Sequence, residues 1–109
     1  MADDREQRIG RNESLLRDVN EAIERGQWPT DPGEAVRFRC ECAVLDCNHN
    51  VELTVREYER VRENPRRFVV VRGHELPEAE SVVEANQGYL VVEKRDEAGF
   101  VAEELDPRS

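Results

Sequence analysis

Ile9, Asn12, Leu16, Val19 and Ile23 recur at spacings of three and four, the period of a helix with one buried stripe, and they predict a helix over about 7–25. Leu15 and Ala22 widen the stripe and Asn12 interrupts it. Such a helix can pack on its own domain, pair with its copy or dock on a partner. Gly26 suits a C-terminal cap, and the two prolines and closing glycine of Trp28-Pro29-Thr30-Asp31-Pro32-Gly33 cannot continue the helix, so 26–35 reads as a linker.

Val36, Phe38 and Cys40 alternate with Arg37, Arg39 and Glu41, the period of a half-buried strand, and Val51 and Leu53 repeat the pattern. The two runs predict a hairpin with its tip at about 42–49. Thr54 and Glu57 form a capping-box pair that starts a helix through Tyr58 and Val61 to Asn64, where Pro65 stops it. Arg56, Arg60, Arg62, Arg66 and Arg67 interleave with Glu57, Glu59 and Glu63, a pattern expected of a solvated ion-pair surface rather than an anion site. The apolar run 68–71 suits a strand buried on both faces and ends at Gly73-His74-Glu75. Runs at 81–85 and 89–93 join through Asn86-Gln87-Gly88 as a second hairpin. A turn at 96–99 leads to a short edge strand at Phe100 and Val101, and 104–109 reads as a disordered tail, as does 1–7. The fold class is therefore α+β: a small domain over 36–103 with an antiparallel or mixed sheet and one short packed helix, preceded by an amphipathic helix over 8–25.

Composition limits what holds this domain together. Of 109 residues, 38% are apolar and 38% charged, which leaves little material for a core, and small domains of this kind often depend on a metal, a disulfide or oligomerisation. A net charge of −9 opposes attachment to nucleic acid or anionic lipid. No apolar run approaches the length of a membrane span, and the first six residues lack the layout of a signal peptide, so a cytoplasmic protein is expected.

All three cysteines, Cys40, Cys42 and Cys47, lie within eight positions, followed by His49. In a reducing compartment so tight a group points to metal binding or redox chemistry before a disulfide framework, and the odd count agrees. Thiolates suit zinc, and three of them with one imidazole form a common closed tetrahedral shell. Residues two apart on a strand share a face, so Cys40 and Cys42 can reach one point, with Cys47 returning across the turn. The fourth ligand is open between His49, which makes the site local, and His74, which follows a permissive Gly73 and ties distant segments together. Glu75 beside His74 has a general-base reading and a plainer one as a surface glutamate.

Phe38, Cys40-Glu41-Cys42, Cys47, Leu53-Thr54, Glu57-Tyr58, Val61-Arg62, Arg67-Phe68, Gly73-His74-Glu75, Val82-Val83-Glu84, Tyr89 and Val91-Val92-Glu93-Lys94, with the helix Asn12-Glu13 through Val19-Asn20-Glu21, resemble a group of uncharacterised small actinobacterial proteins, over most of 9–94. In that group the three cysteines and the Gly-His-Glu recur and a histidine at the place of His49 does not, so the resemblance implies Cys40, Cys42, Cys47 and His74 as ligands and implies no activity. The chain lacks a phosphate-binding glycine loop, a nucleophile–base signature and paired histidines on a helix. It reads as a non-enzymatic zinc-binding module that mediates protein–protein interaction in a regulatory role, with a protein partner or a second copy meeting the N-terminal helix. The alternative is a zinc-thiolate redox switch using the same cysteines. A third reading, a small zinc hydrolase with Glu75 as proton carrier, lacks the His-x-Glu and Cys-x-x-Cys spacings of zinc deaminases.

Overall fold

The computed structural model describes residues 4–26, 33–42 and 47–108, and the side chains of these other than 4–10, 12 and 97. Its elements in chain order are α1 (Asp4–Gly26), β1 (Ala35–Arg39), β2 (Asn50–Thr54), α2 (Val55–Arg62), β3 (Arg67–Val70), β4 (Glu80–Ala85), β5 (Leu90–Lys94) and α3 (Asp96–Glu104). β1 and β2 form the expected antiparallel hairpin, with Val36 opposite Leu53 and Phe38 opposite Val51. A second antiparallel sheet has the order β3-β5-β4, so β5 is central. The fold is thus α+β with antiparallel sheets. The linker prolines and the residues between Cys42 and Cys47 lie outside the described residues.

Strand alternation divides the core in two. Val69 and Val91 face Val36, Phe38, Val51, Leu53, Tyr58 and Val61, with Phe38 and Tyr58 stacked at 4.5 Å between ring centroids. Phe68, Val70, Leu90 and Val92 face the other way, toward the three cysteines and Ala102 of α3. The hairpin and α2 cover one face of the second sheet, and the cysteine segment and α3 lie on the other. The capping box forms as the sequence requires: Thr54 Oγ1 accepts the Glu57 N–H at 3.0 Å and Glu57 Oε1 accepts the Thr54 N–H at 2.8 Å.

Several expectations are corrected. Residues 96–104 form α3 in place of a turn and edge strand; Ala98 and Ala102, four apart and both fully buried, give the inward line of a helix. Gly99 lies within this helix against the movable end of Arg66, whose guanidinium also covers the Phe100 ring. The chain after Glu104 packs on the domain: Asp106 is buried against Arg62 at 2.5 Å, and Arg108 bonds Glu21 at 2.8 Å and Glu59 at 2.5 Å. Arginines of the 56–67 stretch pair with distant acids rather than with the interleaved glutamates: Arg60 with Glu84 at 3.7 Å and Arg67 with Glu93 at 2.9 Å, while Arg62 is buried between Glu21 and Asp106 instead of solvated.

The largest correction concerns α1, which packs on α3 and β1. Its inward face carries Glu13, Ser14, Leu16, Arg17, Asn20 and Glu21, while Leu15 and Val19 stay 53% and 42% exposed. The side chains of Ile9 and Asn12 lie outside the description. Buried charge is tolerated because each group finds a partner. Lys94, the only lysine in the chain, is enclosed by Glu13 and Glu80. Arg17 donates to Pro65 O at 2.6 Å and Ala102 O at 2.8 Å and lies over the Phe68 ring. Among the described residues no helix is long and apolar enough to cross a membrane.

Candidate metal centre

Backbone pairing brings the cysteines and a distant histidine together. At the end of β1 the chain leaves β2 and begins to pair with β3: Cys40 N donates to His49 O at 3.1 Å, and Glu41 N donates to Val69 O at 2.7 Å. The Cys40–Cys42 segment therefore joins the two sheets. After β3 a turn closed by His74 N to Val71 O at 3.0 Å folds the histidine back over the cysteines. Gly73 makes this turn with φ of 93°, a conformation that glycine adopts without the steric cost a Cβ brings. Glu75 Oε1 accepts the Gly73 N–H at 2.7 Å, so its carboxylate is engaged in the turn.

One ligand atom from each of Cys40, Cys42, Cys47 and His74 lies within 4.8 Å of every other. His74 Nδ1 is 3.6 Å from Cys40 Sγ and 3.6 Å from Cys47 Sγ. Two ligands on one tetrahedral zinc, at about 2.3 Å for sulfur and 2.0–2.1 Å for nitrogen, stand about 3.5–3.6 Å apart. The donor set, and the spacing of His74 from two of the sulfurs, therefore fit such an ion. His49 is exposed beside this group, its ring edge-on to His74 at 5.0 Å between centroids, and it is not one of the four.

Without a cation among them the thiols are held in the neutral form. The Cys40 thiol is pushed well above its ordinary range by its contact with Cys42 and by burial, and Cys47 is raised by burial first. Three sulfurs this close cannot all carry charge unless something positive sits among them, and a bound divalent ion supplies that. Backbone dipoles already assist: Val71 N donates to Cys40 Sγ at 3.2 Å, and a backbone bond from His49 lowers Cys47.

Glu41, the residue between two of these cysteines, was expected to point outward by strand alternation. It is fully buried instead. Its Oε1 accepts the Val69 N–H at 2.9 Å, and its Oε2 accepts Tyr58 Oη–H at 2.9 Å and Asn20 Nδ2–H at 2.8 Å. Burial pushes the Glu41 carboxyl up, while these three donors pull it down. Three donors, one each on α1, α2 and β3, thus meet one side chain, and no sequence signal marks Glu41 or Asn20 for this role. No protein-family model, curated protein or solved structure matches the chain.

Proposed function

We propose that Cys40, Cys42, Cys47 and His74 hold one zinc ion and that the protein is a zinc-stabilised, non-enzymatic module that binds another protein. The observation that carries the metal assignment is the equal 3.6 Å separation of His74 Nδ1 from the Cys40 and Cys47 sulfurs, the spacing of ligands on one tetrahedral ion. The likeness to the small actinobacterial proteins implies the same four ligands. Four protein ligands fill a tetrahedral shell and leave no position for a catalytic water, so the ion's part is structural: it ties the end of β1, the start of β2 and the turn after β3 into one knot. A reducing cytoplasm keeps the thiols available for it. A protein partner or second copy would meet the outward side of α1, where Leu15 and Val19 offer apolar surface.

A redox reading of the same site draws on the sulfurs lying within 4.8 Å of one another. A peroxide taking two electrons from two thiolates would leave a disulfide and water and discharge the metal. The two readings share the ligands and differ in whether metal loss is reversible by a thiol reductant. Metal analysis of protein purified without added zinc tests both: one equivalent of zinc is expected, and a metal-free chain with three freely titrating thiols overturns them.

A further inference from the structure

Glu41 belongs to two systems at once. Its backbone lies between two proposed ligands, and its side chain accepts a hydrogen bond from Asn20 of α1 at 2.8 Å. Asn20 also pairs with the end of β1 in both directions, donating to Arg39 O at 2.9 Å and accepting the Arg39 N–H at 2.7 Å. It supplies to the outer edge of β1 the hydrogen bonds that a neighbouring strand would supply. Elsewhere α1 is held mostly by charged groups, and Leu16 is the one apolar side chain of α1 that is buried among the described residues. Buried ion pairs return little net stability, because desolvation offsets their attraction, whereas misplacing one partner is costly. The hold on α1 therefore depends on where its partners stand, and the 39–42 backbone, which pairs with His49 O and Val69 O, carries two of the proposed ligands on either side of Glu41.

We infer that metal occupancy of the Cys40, Cys42, Cys47 and His74 centre controls docking of α1 through the Glu41–Asn20 contact, so that losing the metal releases the N-terminal helix. The inference rests on the metal centre proposed above and adds a regulated element to it. Release would expose the second face of α1, the side bearing Glu13, Arg17 and Glu21, and would leave the paired strands in place. Because coupling between two events is reciprocal, weakening the helix contact must also weaken metal binding, although no ligand is altered.

Zinc affinity of the full chain, measured by competition with a chromogenic chelator, tests this on wild type, Asn20→Ala and the control Arg56→Ala at an exposed α2 position. Asn20→Ala should bind zinc at least about fivefold more weakly, with Arg56→Ala within about twofold of wild type. An unchanged affinity in a folded Asn20→Ala protein overturns the coupling. If that variant does not fold, hydrogen exchange on wild type decides during stepwise chelation. Protection lost from α1 before β5 supports release; protection lost from both together, or α1 unaffected by verified metal removal, overturns it. A wild-type chain that binds no zinc overturns the centre itself, a result distinct from zinc binding without coupling.

Discussion

Cys40 Sγ stands 3.6 Å from His74 Nδ1 although 34 positions separate the two residues. The contact spans β1 to the turn after β3, and so it fastens the hairpin to the second sheet. Cys47, just before β2, meets the same nitrogen at 3.6 Å. A metal held there closes long stretches of chain at a single point, where its constraint on the unfolded state is large.

His74→Ala should lower zinc affinity strongly and cost several kcal/mol of stability, on the order expected when a structural metal site loses a ligand. His49→Ala should change both little, since its ring is exposed and outside the group of four. Zinc competition and thermal melts on the two variants check this. A larger loss in His49→Ala would reassign the fourth ligand.

Glu13 offers a pH test. It shares Lys94 with Glu80 in a buried site, and burial pushes its carboxyl up to about 7 against the attraction of Lys94. An unfolded glutamate titrates near 4.3, so the folded protein holds this proton more tightly, and ionising Glu13 costs stability as the pH rises through about 7. Glu13→Gln should accordingly gain on wild type as the pH goes from 5.5 to 8, by roughly 1–3 kcal/mol at the top. Denaturant midpoints across that range check it, and a difference independent of pH would contradict the assignment.

Asp106 tests the docking of the chain end. Asp106→Ala removes one of the two acids that flank the buried Arg62, leaving Glu21 on the other side, and should cost about 2–4 kcal/mol. Arg67→Ala breaks a pair of similar length, 2.9 Å to Glu93, but one that solvent screens, and should cost at most about 1 kcal/mol. Urea unfolding of both variants gives the comparison; equal losses would mean that the Arg62 site is not sealed from water.

What the sequence disclosed was what depends on near neighbours. The Thr54–Glu57 capping box, the β1–β2 hairpin and the Asn86-Gln87-Gly88 connection are local, and each forms as their residues require. The tight cysteine group was visible for the same reason, and His74 was visible as one of two options. The inward face of α1 was not, because Glu13, Arg17, Asn20 and Glu21 are buried only by virtue of partners such as Lys94, Pro65, Glu41 and Arg62, far away in the chain. A polarity pattern places such residues in water. α3 was hidden by Gly99, which reads as a turn residue and instead lies inside the helix beside Arg66.

X-ray absorption at the zinc edge, on protein purified without added metal and shown to carry one zinc per chain, tests the central claim most directly. The expected shell has three sulfurs at about 2.3 Å and one nitrogen at about 2.0–2.1 Å. Oxygen from water in place of the nitrogen would contradict a closed structural site, and a chain that holds no metal would contradict the centre altogether.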